Sequence, residues 1–168
     1  MNKKKTKGFT LIELLVVIAI IGLLASIVLV SLNNARQKAR DSKRLSDIRQ
    51  VALALELYAD SNNAFYPTVV GCTAGNWSGA MTSCLEAIQS PMNPCSNAVS
   101  YMTKVPTDPR GGTYFYYYAS PTPSTEYLLM ATLEVASNPA LSTDVDPAVA
   151  GGTVLGCACT DPAYCIQP

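Results

Sequence analysis

A long apolar run, Leu14 to Leu32, entered through Gly8-Phe9-Thr10-Leu11-Ile12-Glu13, constrains this chain more than any other feature. From Phe9 to Leu32 the only ionisable side chain is Glu13. About 20 apolar residues cross the hydrocarbon core of a bilayer, so the run is long enough to span. Lys3, Lys4, Lys5 and Lys7 precede it and should stay on the cytoplasmic side. A secretory signal peptide would end a core of ~7–15 apolar residues at a small-residue cleavage site. Here the run is longer, and the candidate junction Gly8-Phe9 lies before it. A cut there removes the lysines and keeps the apolar helix.

The rest of the chain divides around that helix. Ten of the twelve Lys and Arg lie in residues 1–60, whereas all eleven Pro occur from Pro67 on and all six Cys from Cys72 on. Before Gly71 the only glycines are Gly8 and Gly22. Pro and Gly break helices, so the front reads as one uninterrupted helix, from Phe9 to about Asp60. At 1.5 Å per residue it would be about 75–80 Å long, too long for one small domain to bury. Leu45, Ile48, Ala52, Leu55 and Ala59 form a helical stripe in its second half. Arg36, Lys38, Arg40, Lys43, Arg44 and Arg49 fall mostly off that stripe, with Asp41 and Asp47 among them. They read as a solvated face with local ion pairs, or as a belt facing acidic neighbours.

Ser61-Asn62-Asn63 ends the helix, and residues 61–168 read as a loop-rich head. Within it, Ala80–Gln89 predicts a short helix, and Tyr114–Ala119 and Tyr127–Val135 predict two strands joined around Pro121–Ser124. The tail from Ala136 to Pro168 reads as mostly structureless. Without its leader the chain carries eight basic and twelve acidic side chains, a net of about −4. This acidic balance argues against a nucleic-acid partner. There is no His, and no nucleophile–base pair or phosphate loop, so the chain does not read as an enzyme.

Gly8-Phe9-Thr10-Leu11-Ile12-Glu13 resembles the prepilin signature of type IV pilins and type II secretion pseudopilins: a short basic leader, Gly, Phe, then Glu as the fifth mature residue. Ala64-Phe65-Tyr66-Pro67 is similar to the junction in many pseudopilins. Tyr101–Ala119 resembles the major pseudopilin pattern of an Asp-Pro turn before a tyrosine-rich strand, with Arg110 where many of those proteins have Trp. The resemblance implies a cut after Gly8 by a prepilin peptidase, methylation of the Phe9 amine, and assembly into a filament of copies of the chain, guided by Glu13. It implies membrane lipid as the first surroundings and a pilus or secretion machinery as partner.

Six cysteines after a membrane segment point to disulfides in an oxidising external compartment. Cys72, Cys84 and Cys95 form one sequence cluster, and Cys157, Cys159 and Cys165 another. Fifteen full pairings are open to six cysteines, and spacing alone selects none. Asp144 and Asp146, beside Ser142 and Thr143, offer hard oxygens of the kind calcium takes. The residues alone read as ordinary solvated acids next to Pro147. The resemblance makes them candidate calcium ligands, because major pseudopilins bind calcium in a loop late in the domain. In Tyr114-Phe115-Tyr116-Tyr117-Tyr118, strand alternation puts Tyr114, Tyr116 and Tyr118 on one face and Phe115 and Tyr117 on the other.

The expected architecture is α+β. A leader (1–8) precedes a membrane or filament-core helix (9–32). Its amphipathic continuation (33–60) packs against a small antiparallel sheet in a disulfide-pinned head outside the membrane (61–168). The expected function is that of a type IV pilus-like filament subunit. The alternatives are a type II secretion pseudopilin and a membrane-tethered binding protein that does not polymerise.

Overall fold

The computed structural model describes residues 9–69, 72, 77, 80–86, 99–112, 114–148 and 152–168. Two units divide the chain, Met1–Gln37 and Lys38–Pro168. One element, α1 (Leu11–Ser61, 51 residues), runs through both.

In the first unit every residue from Phe9 to Arg36 is exposed. Ile12 is 73% exposed, Leu23 64% and Val30 64%, so the apolar half of α1 stands uncovered among the described residues. A Cβ at Gly22 would meet nothing within 4 Å. The helix is long and apolar enough to cross a membrane, as its sequence predicts.

In the second unit α1 buries Ile48, Val51, Ala54, Leu55, Tyr58 and Ala59. Ile48, Leu55 and Ala59 of the expected stripe are buried, and Leu45 and Ala52 pack against the same core. The buried face extends further than expected, to Asp41, Arg44 and Asp47. The helix ends where the N–H groups of Asn62 and Ala64 both donate to the Ala59 carbonyl, at 3.0 and 2.9 Å. Asn63 and Ala64 turn the chain away in the left-handed region (φ 57° and 62°). A short helix, α2 (Ala80–Leu85), seats Met81 and Leu85 in the core. Its expected extension past Glu86 lies outside the described residues.

Three antiparallel strands form a sheet of order β1-β2-β3: β1 (Tyr116–Ala119), β2 (Leu128–Thr132) and β3 (Ala163–Ile166). Tyr116 pairs with Ala131, and Met130 pairs with Cys165. Successive side chains of a strand point to opposite faces, and here both faces are covered. Tyr116, Tyr118, Leu129, Ala131 and Tyr164 share one core with α1 and α2. Ala119, Leu128, Met130, Ala163 and Cys165 share the other with Cys157 and Cys159. A strand buried on both sides reads as a continuous apolar run, as Leu128-Leu129-Met130-Ala131 does. The expected alternation along β1 holds: Tyr116 and Tyr118 face the helix, whereas Phe115 is 45% exposed.

The tail differs from its structureless expectation. It contains a 3-10 turn (Pro139–Ser142), started by Asn138 whose side chain accepts the Ala140 N–H, and then β3. Four strand residues next to Pro162 are too few to show a periodicity in the sequence, and β2 supplies the pairing that makes them a strand.

Candidate functional site

At the N-terminus, Gly8 lies outside the described residues and Phe9 is exposed. The Glu13 carboxylate accepts the Thr10 N–H at 2.8 Å and the Thr10 hydroxyl at 2.7 Å, while the Glu13 N–H donates to Thr10 Oγ1 at 3.3 Å. This reciprocal arrangement is a capping box, in which Thr and Glu three residues apart satisfy the first free N–H groups of a helix. Thr10-Leu11-Ile12-Glu13 spells that signature, yet Thr10 is absent from the residues singled out in the sequence. Within this chain Glu13 therefore serves the helix end. A carboxylate has about four lone-pair sites, so it retains capacity for a further donor.

The second site lies in the tail. One ligand oxygen each from Asp144, Asp146 and Asp161 can be chosen so that all lie within 4.8 Å of one another. Asp144 follows the 3-10 turn, and Asp161 precedes β3. The Cys165 N–H donates to Asp144 Oδ2 at 3.1 Å, and the Val145 N–H donates to the Cys165 carbonyl at 2.9 Å. Asp144 Oδ1 is sealed from solvent and has no hydrogen-bond partner among the described residues. Burial pushes the Asp144 carboxyl above its ordinary value; the Cys165 N–H opposes this, and the charges of Asp146 and Asp161 add to it. Calcium–oxygen bonds run 2.3–2.6 Å, so oxygens on opposite sides of one ion lie ~4.6–5.2 Å apart, a span this set meets. The donors are all hard oxygens, and one buried oxygen lacks a partner, so the residues fit calcium. Asp144 is not the solvated acid that its residue type suggests. Asp161 was missed because nothing in the linear sequence joins it to Asp144.

A third cluster corrects the reading of the basic belt. Arg44 is fully buried and binds three acids: Asp108 through Nε and Nη2, Asp41 through Nη1, and Glu134 through Nη1. Burial works against the Arg44 charge, yet its bonds to Asp108, Glu134 and Asp41 outweigh that and hold its pKa above the ordinary value. Arg40 grips Glu134 with two bonds of 2.6 Å. Asp41 also accepts the N–H groups of Glu134 and Val135. Tyr116 donates to Asp47 at 2.9 Å. These charges tie α1 to the Asp108-Pro109 turn and to the end of β2. Arg40 and Arg44 are thus not part of a solvated face, because Asp108 and Glu134 come from more than 60 residues away, whereas Arg36, Lys38, Lys43 and Arg49 are exposed as expected and Lys43 makes a local pair with Asp47. Arg110, which stands where many major pseudopilins have Trp, stacks over Tyr114 at 4.3 Å.

The structure pairs Cys72 with Cys157 and Cys159 with Cys165. Cys84 is buried and disulfide-bonded as well, and Cys95 lies outside the described residues.

The prokaryotic N-terminal methylation motif family matches residues 3–29. The chain is 37% identical over 111 residues to the type II secretion system core protein G of Escherichia coli (strain K12), covering 66% of this chain and 70% of that protein. It is 34% identical over 114 residues to the protein of that name from Aeromonas hydrophila (68% and 74%). The corresponding Pseudomonas aeruginosa protein is 31% identical over 116 residues (69% and 76%). No solved structure matches.

Proposed function

The chain belongs to the type II secretion system core protein G family of pilin-like filament subunits, and from that premise we propose that it builds the short filament of a secretion machine. Between the expected surface pilus and the secretion pseudopilin, the names of the relatives favour the pseudopilin. The carrying observation is the exposed apolar half of α1. Among the described residues Leu11 to Leu32 are exposed, so lipid covers them first and sister helices cover them in the filament. The head lies outside the membrane, as the disulfides and the lysine-rich leader favour.

On this reading a prepilin peptidase cuts after Gly8 and the new Phe9 amine is methylated, in keeping with the matched motif. Glu13, held at the helix end by Thr10, meets the Phe9 ammonium of an adjacent subunit. Two charges that are costly in an apolar surrounding then compensate each other. Asp144, Asp146 and Asp161 would hold a calcium ion, whose charge would neutralise their mutual repulsion. The role is structural, and no catalysis is part of it.

Deletion of the gene, followed by mass spectrometry of the culture medium, tests the reading. Loss of a set of exported proteins, restored by the wild-type gene, is the expected result. An unchanged exported set with loss of surface fibres would assign the chain to a pilus instead.

A further inference from the structure

Asp161 stands inside the covalent ring closed by Cys159 and Cys165, cysteines six residues apart. Both cysteines are wholly buried in the outer core, while Asp161 is exposed. The ring is therefore anchored inward and presents its acid outward. Its closing residue, Cys165, is also the one whose N–H holds Asp144 Oδ2. One disulfide thus governs two of the three carboxylates, one by covalent closure and the other by a backbone hydrogen bond. Like charges this close repel, and without an ion something must hold them together. A short covalent ring does so by removing the conformations in which Asp161 swings away.

We propose that the Cys159–Cys165 disulfide is a redox latch on the calcium site, an inference that rests on the calcium reading above. Closed, the ring holds Asp161 against Asp144 and Asp146. Opened, residues 159–165 regain their freedom, the acids separate, and affinity for calcium falls. The opening step is thiol–disulfide exchange. A dithiol reductant transfers two electrons and two protons, the sulfurs of Cys159 and Cys165 become two thiols, and the reductant closes into its own disulfide. The latch makes the site competent in the oxidising compartment where the head works, and incompetent among cytosolic thiols.

The test uses the full chain in detergent micelles, with calcium as the probe. Calorimetric titration compares the oxidised wild type with the Cys159→Ser/Cys165→Ser double variant, which should bind calcium about tenfold more weakly, within the ordinary range of coupling between two sites. A second arm needs no variant. Wild-type protein is equilibrated in dithiothreitol buffers with and without calcium, and the Cys159–Cys165 peptide is read by alkylation and mass spectrometry. Linkage is reciprocal, so calcium should shift that equilibrium toward the disulfide by the same factor. If the double variant does not fold, this arm decides alone. An equilibrium unmoved by calcium overturns the latch, whatever the variant does, and leaves the site standing if the wild type binds. If the oxidised wild type binds no calcium, the site and the latch fall together.

Discussion

The carboxylate of Asp108 grips the guanidinium of Arg44 through two parallel hydrogen bonds, Nε to Oδ2 at 2.7 Å and Nη2 to Oδ1 at 3.0 Å, and neither side chain is more than 2% exposed. A fork-to-fork pair of this kind fixes orientation as well as distance. It joins the helix to the turn that leads into β1, and Arg44 Nη1 donates to both Asp41 and Glu134.

Arg44→Met removes the cation and leaves Asp108, Asp41 and Glu134 without their common partner. Breaking a buried pair from one side costs about 3–5 kcal/mol. Arg44→Lys should recover only part of this, because an ammonium lacks the planar fork. Urea unfolding of the two variants measures both effects. Wild-type stability in Arg44→Met would show that the acids relax to water without cost.

Hydrogen bonds from Arg40, opposed by burial and reinforced by Arg44, hold the Glu134 carboxyl down at about 2, against an ordinary value of 4.5. The unfolded chain therefore takes up this proton at a higher pH than the folded one does. The stabilisation is complete above about pH 4.5 and is lost as the pH falls toward 2. Melting temperature followed over that window should drop in the wild type. The drop should be shallower in Glu134→Gln, which starts from a lower plateau. Parallel curves would assign the acid sensitivity to other carboxylates.

Tyr118 is fully buried, and its hydroxyl donates to the Pro67 carbonyl at 2.7 Å. Tyr118→Phe keeps the packing and strands that carbonyl. The expected loss is ~1–3 kcal/mol, the cost of an unsatisfied buried acceptor, measured by denaturant unfolding. A smaller loss would mean that water reaches Pro67 in the variant.

Glu13→Leu removes a carboxylate whose transfer to the bilayer centre costs about 2.5–3.5 kcal/mol, so membrane insertion should be kept or improved. Filament yield, read by electron microscopy of shear-released material at matched subunit levels, should fall strongly. Glu13→Asp should fall between, because its side chain is shorter. Thr10→Ala keeps the charge but removes the hydroxyl partner, and should reduce yield less than Glu13→Leu does. Normal fibres from Glu13→Leu would leave the capping box as the whole role of Glu13.

The sequence shows those parts of this molecule that rest on local rules. A stretch without Pro and nearly without Gly gives α1, and the tyrosine alternation gives β1. The apolar run through Leu128 gives β2. What escapes is whatever depends on a distant partner. Arg44 and Asp41 look like an ordinary surface pair three residues apart, and only Asp108 and Glu134, brought in by the fold, turn them into core residues. Ala163–Ile166 becomes a strand because β2 offers an edge, and Asp161 becomes a candidate ligand because a disulfide carries it there. Thr10 was legible in principle, since its spacing to Glu13 is a known helix-start signal.

The sheet order has a consequence for the order in which the head can be finished. β2 takes one partner from the strand just before it and the other from Ala163–Ile166, beyond a long connection. While the chain emerges, β2 stands with one side bare, and Leu128 and Met130 are uncovered on the outer face. A bare strand edge beside apolar side chains is a template for pairing with another chain. A subunit cut short of Ala163 would keep that template permanently. The third strand thus acts as a late cover: the bare side of β2 is paired only once Ala163–Ile166 has arrived, and a fragment that stops earlier betrays itself by sticking.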